Sequence, residues 1–272
     1  MTLPTVIIPV FNAPDALARC IEAVAATVPA EAGVIVIDDA STDPRVGQVL
    51  QRCPASWTRL RQQTNRGFVV TANRGMALAA PNDVVLLNAD TVPAGDWLER
   101  LARCAASDHR IASATPFTNN GEIASLPEFC RAAPVPNDPE RWAAACRCAG
   151  PPHYPKIPTA VGFCMYMRRL TIDAVGDFDA AVFGRGYGEE NDWCMRASAA
   201  GWKHVLCDDA FVAHLGNASF GPLGLAPDEH SMRRLLERHP DYLERIRAFI
   251  DADPIATHRR RVLTRLKVSK PA

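Results

Sequence analysis

The chain has 272 residues, of which 48% are apolar and 22% are charged, and its 30 basic residues balance 30 acidic ones. This composition predicts a soluble globular protein with a sizeable core, built as one large domain or as one domain with an appendage. The balanced charge gives no reason to expect nucleic acid as a partner. No apolar run approaches the roughly 20 residues of a membrane span, and the N-terminal residues predict no signal peptide.

The nine cysteines are an odd number and show no disulfide framework. Cys146 and Cys148 form the one close pair, and neither a second pair nor a histidine cluster lies near them in sequence to complete a zinc site. We therefore expect reduced, mostly buried thiols in a cytoplasmic protein.

Apolar runs alternate with amphipathic segments through the first half of the chain. Strands are predicted at residues 6–10, 34–37, 58–63, 84–87 and 111–116, and helices at residues 15–28, 68–80 and 94–106. A strand, a helix and a second strand within about 35 residues form a βαβ unit, which crosses over right-handed into a parallel sheet. The pattern predicts an α/β domain of the nucleotide-binding kind.

Acidic side chains follow the predicted strands at the edge where such sheets bind their ligands. Asp38 and Asp39 end the second strand, Asp90 follows the fourth, and Phe11 and Asn12 follow the first. Neither Gly-x-Gly-x-x-Gly nor a P-loop motif is present, which disfavours a dinucleotide-dependent dehydrogenase and a P-loop ATPase. Either the acids bind ribose and base, or a divalent cation intervenes between them and a diphosphate. A carboxylate such as that of Asp90 suits magnesium or manganese.

The second half is organised differently, with a long proline-rich connection at residues 119–158. A short helix is predicted inside this connection at residues 139–148, followed by a strand at 159–168 and a helix at 170–175. Further strands are predicted at residues 203–207 and 211–214, and helices at residues 227–239 and 241–250. A connection of this length in a compact domain is usually functional or an added subdomain. Gly162, in the predicted strand, allows close approach of a ligand or another chain.

Three glycines between Gly184 and Gly188 predict a tightly turned or mobile loop, because glycine takes positive φ without strain. Glu189, Glu190 and Asp192 follow at once, at the start of a helix predicted to run to Ala200. One carboxylate suffices to cap such a helix. Three of them beside a glycine loop predict an acid/base centre.

Motifs in both halves, in order over residues 5–220, together carry a resemblance. They are Val6-Ile-Ile-Pro-Val-Phe-Asn12, Val36-Ile-Asp-Asp-Ala-Ser-Thr-Asp43, Asn65-Arg-Gly-Phe68, Asn73-Arg-Gly75, Leu86-Leu-Asn-Ala-Asp-Thr91, Val161-Gly-Phe-Cys-Met-Tyr-Met167, Gly186-Tyr-Gly-Glu-Glu-Asn-Asp-Trp-Cys-Met-Arg196 and His214-Leu-Gly-Asn-Ala-Ser-Phe220. The set resembles the family 2 inverting glycosyltransferases, and its second half is similar to bacterial O-antigen and rhamnosyl-type transferases. The resemblance implies the α/β GT-A fold, a Rossmann-like, mostly parallel central sheet flanked by helices. It also implies a nucleoside-diphosphate sugar donor and Mn²⁺ or Mg²⁺.

By the same resemblance, Asn88-Ala-Asp90 stands where the family has its Asp-x-Asp metal motif. Asp90 is then the expected metal ligand, and Asn88 is at best a hydrogen-bonding group. His214 matches a histidine that completes the metal site in many members, the alternative being an ordinary core or surface histidine. The residues expected at the nucleotide sugar are Pro9, Phe11, Asn12, Asp38, Asp39, Asn65, Gly67, Asn88 and Asp90.

Some of these donor-side residues also have a purely structural interpretation. One of Asp38 and Asp39 is expected to cap the turn at Ser41. Core packing is the alternative for Phe11. For Asn65 and the glycine that follows it, an ordinary turn explains the sequence equally well.

On the acceptor side, the Glu-Asp motif of the family falls on Glu189-Glu190, and Glu190 is the expected catalytic base. Such a base works best with a raised pKa, which burial and like charge from Glu189 or Asp192 would provide. Glu189 and Asp192 remain alternative bases, although Asp192 is better suited to capping or orienting. Trp193 is expected to wall the acceptor pocket, beside Gly162.

We therefore expect an inverting, metal-dependent glycosyltransferase that moves a hexose or deoxyhexose to a glycan or lipid-linked acceptor. The expected division is a GT-A domain at residues 1–220, with a donor half at 1–116 and an acceptor half at 117–220, and a helical extension at 221–272. One alternative is a non-catalytic nucleotide-sugar-binding or scaffolding module, which the departure at Asn88 favours. A nucleotidyltransferase is the other, although no glycine-rich loop with Arg or Lys follows the first strand.

Residues 258–270 are basic and helical in period. A solvated terminal helix is the first expectation. The alternative is peripheral attachment of a cytoplasmic protein to the anionic inner face of the plasma membrane. Nothing in the sequence predicts an oligomeric state.

Overall fold

The computed structural model describes residues 2–184, 186–216 and 229–268, and within them one sheet forms the centre of the protein. Its strands are β1 (Thr5–Val10), β2 (Val34–Asp38), β3 (Thr58–Arg61), β4 (Val84–Leu87), β5 (Thr91–Pro93), β6 (Ile111–Phe117), β7 (Lys156–Ile157), β8 (Cys164–Met167) and β9 (Lys203–His214). They lie in the order β3-β2-β1-β4-β8-β6-β9-β5, and β7 pairs with β9. The pairs β1–β2, β1–β4, β2–β3 and β6–β9 are parallel, whereas β8 is antiparallel to both of its neighbours.

Helices cover both faces of this sheet. They are α1 (Pro14–Thr27), α2 (Arg45–Leu50), α3 (Phe68–Leu78), α4 (Trp97–Ala106), α5 (Pro139–Arg147), α6 (Arg169–Val175), α7 (Ala180–Phe183), α8 (Glu189–Ala199), α9 (Glu229–Arg238), α10 (Tyr242–Ala252) and α11 (Ala256–Val268), with a short 3₁₀ turn at Glu122–Ala124. Successive residues of β1 point to opposite faces: Val6 and Ile8 pack with α1 and α4, whereas Ile7 packs with α3 and α8. The expected α/β fold, with a mostly parallel central sheet and C-terminal helices, is confirmed.

Two predicted strand boundaries are wrong. The strand expected at residues 159–168 is confined to β8, and the two short strands expected at 203–207 and 211–214 are one strand, β9, with an irregularity between Cys207 and Phe211. Asp208 and Asp209 interrupt the apolar pattern there and suggested a break. Both are buried, because Asp208 accepts hydrogen bonds from the backbone of His153 and Asp209 pairs with Arg100.

The C-terminal helices pack onto the rest of the protein rather than standing apart. Leu235 of α9 and Tyr242 of α10 belong to the buried cluster that includes Trp193 of α8, and α11 packs on α5. Arg185, the end of the last motif at residues 217–220, the start of the helix expected at 227–239, the boundary expected at 220 and residues 269–270 lie outside the described residues.

The described helices include none that is long and apolar enough to span a membrane. All nine cysteines are free, and seven of them are buried, as expected for reduced thiols.

Candidate active site

Asp38 and Asp39, at the end of β2, have different surroundings. Asp38 is 1% exposed, accepts a hydrogen bond from the backbone N–H of Ser41 at 2.8 Å, and forms an ion pair with Arg61. It therefore caps the turn after β2 and is the structural member of the pair. Its carboxylate has no exposed surface from which to contact a nucleotide.

Asp39 fastens the loop between β3 and α3. Its Oδ1 accepts hydrogen bonds from the backbone N–H of Arg66 at 2.8 Å and from Gln62 Nε2 at 2.7 Å, and its Oδ2 accepts one from the N–H of Gly67 at 2.8 Å. Gly67 precedes α3 with φ of 84°, a conformation that favours glycine. The structure thus brings Asp39 and Gly67 together at one corner of the ligand edge.

Asn65 lies in the same loop and carries a buried acceptor. Its Oδ1 has no hydrogen-bond partner among the described residues. Buried polar atoms are nearly always paired in folded proteins. No contact within the described residues accounts for this buried carboxamide oxygen.

The segment after β1 contacts the turn after β2. The side-chain oxygen of Asn12 accepts hydrogen bonds from the backbone N–H groups of Thr42 at 2.9 Å and Asp43 at 3.0 Å. Asn12 therefore braces the turn after β2. Pro9 and Phe11 are half-buried, and Phe11 belongs to none of the core clusters, so core packing does not explain it.

Asp90 and His214 come together through strand pairing. Thr91, the first residue of β5, is paired with His214, the last residue of β9. Asp90 directly precedes β5, and its Oδ1 lies 3.3 Å from His214 Nε2. Asn88 shapes the turn, because its carbonyl accepts hydrogen bonds from both the N–H and the hydroxyl of Thr91. The Asn88 side chain is half-buried.

Both ring nitrogens of His214 face oxygen atoms. Nδ1 lies 2.7 Å from the carbonyl oxygen of Asn120, which only accepts, so Nδ1 carries a proton. Nε2 faces the Asp90 carboxylate, another acceptor. Burial lowers the pKa of His214, but the hydrogen bond and charge of Asp90 outweigh burial and raise this pKa overall. The ring is thus either an imidazolium or a neutral ligand with a cation between it and Asp90.

The Asp90–His214 pair fits a divalent metal. Its 3.3 Å separation is close to the edge of an octahedron with ligands at about 2.1 Å, which is about 3 Å. The described residues contain no group of three or more protein ligands. Mg²⁺ and Mn²⁺ commonly use one or two protein ligands together with phosphate oxygens and water. The Asn120 carbonyl, which fixes the ring of His214, is the outer contact that such a ligand needs.

Gly162 and Phe163, which precede β8, connect the Asp90–His214 pair to helix α8. The ring of Phe163 stacks on His214 with centroids 5.3 Å apart, and its carbonyl accepts a hydrogen bond from the N–H of Asn88 at 2.9 Å. Gly162 lies against Glu190, since a Cβ at position 162 would be 3.7 Å from Glu190 Cγ. Glu190 and the Asp90–His214 pair therefore lie next to two adjacent residues, and the region between them is called the cleft here. The motif at residues 161–167 indicated this segment, but nothing in it singled out Phe163.

Glu190 is the second residue of α8 and is only partly buried. Burial, with a smaller contribution from the negative charge of Glu122, raises the pKa of Glu190 to about 7. Glu122 lies in the long connection, and no sequence pattern indicated that its charge would act on Glu190. The expected like charge from Glu189 is also present, because Glu189 and Glu190 influence each other.

Glu189, the first residue of α8, is 4% exposed, and its Oε2 has no hydrogen-bond partner among the described residues. Burial and then the charge of Glu190 raise the pKa of Glu189 well above its usual range. Tyr187, in the glycine loop, has a pKa raised by burial and by the charges of Glu189, Glu190 and Asp90. The charges of all three acids therefore act on Tyr187.

Asp192 does not face this cleft. It is fully buried and accepts hydrogen bonds from Arg196 Nε at 2.8 Å, His239 Nε2 at 2.9 Å and Arg238 Nη1 at 3.3 Å. Burial raises its pKa, but the hydrogen bonds from His239 and Arg196 lower that pKa overall. The geometry removes Asp192 from the candidate bases and leaves it the orienting role.

Trp193 does not wall an acceptor pocket, contrary to the expectation from its sequence position. It is 0% exposed, and its Nε1 donates a hydrogen bond to the carbonyl of Gly176 at 2.9 Å. It packs in the core cluster beneath α3 and α8. The aromatic side chain points inward because the helix uses this position for its buried face.

The sheet order and the acidic ligand edge define a GT-A fold, the fold of many nucleotide-sugar transferases. The family model described as "Glycosyl transferase family 2" matches residues 5–173, more than half of the chain. The chain therefore belongs to glycosyl transferase family 2. The matched residues include Asp39 and Asp90 and end before Glu190 and His214.

Two solved structures show the same fold. The crystal structure of GalNAc-T7 with UDP, GalNAc and Mn²⁺ is 16% identical, has a TM-score of 0.65, and is matched over 97% of this chain and 55% of that chain. The structure of TarS residues 1–349 from S. aureus with UDP is 14% identical, has a TM-score of 0.56, and is matched over 91% of this chain and 73% of that chain. This chain thus spans about half the length of GalNAc-T7. No curated protein matches it.

Proposed function

We propose that this protein is an inverting, divalent-metal-dependent glycosyltransferase of cell-surface polysaccharide synthesis. It transfers a hexose or deoxyhexose, with rhamnose among the candidates, from a nucleoside-diphosphate sugar to a hydroxyl group of a glycan or lipid-linked acceptor. One observation carries the proposal. The adjacent residues Gly162 and Phe163 contact Glu190 and His214, so a carboxylate with a raised pKa and a candidate metal pair face the same cleft.

On the donor side, Asp90 and His214 would hold Mn²⁺ or Mg²⁺, which neutralises the departing diphosphate when bound. The loop fastened by Asp39, which carries Asn65, would bind the base and ribose. The half-buried Phe11 would lie against the base. UDP is bound in both similar structures, so UDP-sugars are the first donors to examine.

On the acceptor side, Glu190 would take the proton of the attacking hydroxyl. The acceptor oxygen forms a bond to the anomeric carbon from the face opposite the diphosphate, and the bond from that carbon to the diphosphate oxygen breaks. The electron pair leaves with the diphosphate, so the anomeric configuration inverts. A base is most efficient when its pKa lies near the working pH, and burial raises the pKa of Glu190 to about 7.

The proposed division of the chain follows from these roles. Residues 1–116 supply the donor loop and Asp90, and residues 117–220 supply Glu190 and His214. Residues 221–272 are the proposed extension, and its described part, residues 229–268, is helical and braces α8 through Asp192. Attachment of the basic tail to an anionic membrane remains part of the proposal, with vesicle co-sedimentation as its test.

Turnover of defined donors tests the proposal. The protein would be incubated with UDP-, dTDP- and GDP-sugars in the presence of Mn²⁺ or of EDTA, and the released nucleoside diphosphate would be measured. We expect release with one nucleotide class, only when metal is present. The anomeric configuration of the released or transferred sugar would be read by NMR. No release from any donor, release unaffected by EDTA, or retention of configuration would each contradict the corresponding part of the proposal.

A further inference from the structure

We infer that Asn119 is a positioning residue that holds His214 in the orientation needed to bind a divalent cation. The inference rests on the proposed metal role of the Asp90–His214 pair and extends it to a residue with no expected function. Asn119 follows β6, is 2% exposed and has no access to the cleft. Any effect that it has on the metal must pass through His214.

The carboxamide of Asn119 pairs with both backbone groups of His214. Its Oδ1 accepts a hydrogen bond from the N–H of His214 at 2.8 Å, and its Nδ2 donates one to the carbonyl of His214 at 2.9 Å. Nδ2 also donates to the carbonyl of Ala133 at 2.8 Å, and the N–H of Ala133 donates to the Asn119 carbonyl at 2.8 Å. Asn119 thus fastens the end of β9 to the connection that follows β6.

At His214, the contact with the Asn119 side chain takes the place of backbone pairing with β6. The last pair between β6 and β9 is Phe117 with Phe211, so His214 lies beyond the end of β6. On the other side of β9, the N–H of Leu215 donates to the carbonyl of Asp90 at 2.9 Å. Backbone groups of successive strand residues point to opposite sides. Asn119 on one side and Asp90 on the other therefore fix the rotation of the strand at His214, which sets the direction of the imidazole.

The neighbouring residue completes the arrangement through its backbone. The carbonyl of Asn120 lies 2.7 Å from His214 Nδ1 and orients the ring. The chain also passes close at Gly216, where a Cβ would lie 2.1 Å from Asn120 Nδ2. Since the Asn120 contact to His214 is made by the main chain, the side chain of Asn119 is the part of this arrangement that a substitution can remove.

An aspartate at position 119 would not substitute for the asparagine. A carboxylate keeps the acceptor for the His214 N–H but has no donor, so the carbonyls of His214 and Ala133 would lose their partner. The position therefore requires a side chain with an acceptor and a donor on one planar group.

The test compares Asn119→Ala with Asn73→Ala, a matched control. Asn73 makes the same kind of two-sided contact to a backbone, with Nδ2 2.7 Å from the carbonyl oxygen of Phe178 and Oδ1 3.1 Å from its nitrogen. Phe178 belongs to the cluster beneath α3 and α8, away from His214. Mn²⁺ binding in the presence of UDP would be measured by calorimetry and by the electron paramagnetic resonance signal of free Mn²⁺. Thermal unfolding without metal and kcat at saturating Mn²⁺ would accompany it.

For Asn119→Ala we expect the Kd for Mn²⁺ to rise about 10-fold or more, the range seen when outer contacts to metal ligands are removed. Saturating Mn²⁺ should restore most of kcat. For Asn73→Ala we expect a similar loss of thermal stability and an unchanged Kd. If Asn119→Ala does not fold, Asn119→Ser serves in its place, with the same expected direction.

The outcomes distinguish a failure of the proposed metal role of Asp90 and His214 from a failure of the positioning role of Asn119. Wild-type protein that binds UDP equally with and without Mn²⁺ contradicts the metal role in the proposed function. Wild-type protein that requires Mn²⁺, together with an unchanged Kd in the Asn119 variant, overturns the inference alone. An equal rise of the Kd in the Asn119 and Asn73 variants overturns it too, because the effect would then be general destabilisation.

Discussion

The side chain of Glu190 packs against the backbone of Gly162. A Cβ at position 162 would lie 3.7 Å from Glu190 Cγ and 3.8 Å from its Cδ, which are ordinary van der Waals contacts. A methyl group therefore fits beside Glu190, whereas a larger side chain has to displace the carboxylate. The backbone of Gly162 is not in the left-handed region, so this effect is not confounded by strain.

Substitutions at Gly162 should act by size. We expect Gly162→Ala to keep kcat within about threefold, and Gly162→Val to lower it about 100-fold, because a shift of about 1 Å in a reacting group has that cost. Steady-state kinetics with saturating donor would measure both variants. Equal losses in the two would show that the contact with Glu190 does not limit the reaction.

Glu190→Gln should abolish transfer and leave nucleotide binding intact. Loss of a general base lowers the rate by about 10²- to 10⁴-fold, and glutamine has the same shape without a carboxylate. The Kd of UDP with Mn²⁺, measured by calorimetry, should match that of the wild type. Near-normal turnover in this variant would transfer the role of base to Glu189.

The pH dependence of the wild type should report the same carboxyl group. Burial raises the pKa of Glu190 to about 7, and the base works only when it is deprotonated. The value of kcat/KM should therefore fall as the pH drops below about 7 and level off above it. A profile that is flat from pH 5 to pH 8 would exclude a carboxyl group with this pKa.

Removal of either member of the metal pair should weaken nucleotide binding in a metal-dependent manner. We expect Asp90→Ala and His214→Ala to lose the gain in UDP affinity that Mn²⁺ gives the wild type. Asp15→Ala serves as the control, because Asp15 is an exposed aspartate whose pair with Arg45 is also exposed. Calorimetric titrations with Mn²⁺ and with EDTA would check this. Retention of the Mn²⁺ effect in both variants would place the metal elsewhere.

Glu189→Gln should stabilise the protein at neutral and alkaline pH. The pKa of Glu189 is raised well above its usual range, so the folded state keeps a proton that the unfolded state releases. That contribution to stability is complete below the unfolded pKa of about 4.3 and declines by about 1.4 kcal/mol per pH unit until the folded pKa is reached. Glutamine does not ionise, so the free energy of unfolding of the variant does not decline in this way as the pH rises. Urea unfolding at pH 5 and pH 8 should show a larger advantage of the variant at pH 8.

The acidic edge of the sheet was predictable because local sequence determines it. Asp39 follows β2 and Asp90 lies in the turn after β4, so chain order alone places them at one edge. Strand β5 was not predictable, since three residues ending in Pro93 carry no periodicity. Yet its pairing with β9 is what brings Asp90 to His214.

The contacts that Phe163 and Asn119 make with His214 could not be predicted from sequence patterns. The roles of Phe163 and Asn119 depend on packing between segments far apart in the chain, and an asparagine in a loop gives no sign of the backbone that it will bind. The prediction that Trp193 lines the acceptor pocket was wrong because it relied on sequence proximity to the acidic residues. Neighbouring residues of a helix point in different directions, and Trp193 points into the core. The two short strands predicted at 203–207 and 211–214 are one strand, because Asp208 and Asp209 between them are buried rather than exposed in a loop.

The hydrogen bonds between Asp192 and the C-terminal segment limit how freely this protein can be recombined with its relatives. Arg238, the last residue of α9, and His239, which follows it, contact a carboxylate that is fully buried in α8. A chimera that joined residues 2–216 to the C-terminal helices of another transferase would leave that carboxylate with Arg196 alone. Removing partners from a buried ion pair costs about 3 to 5 kcal/mol. Grafts intended to change the acceptor should therefore carry a basic side chain and a histidine to these two positions.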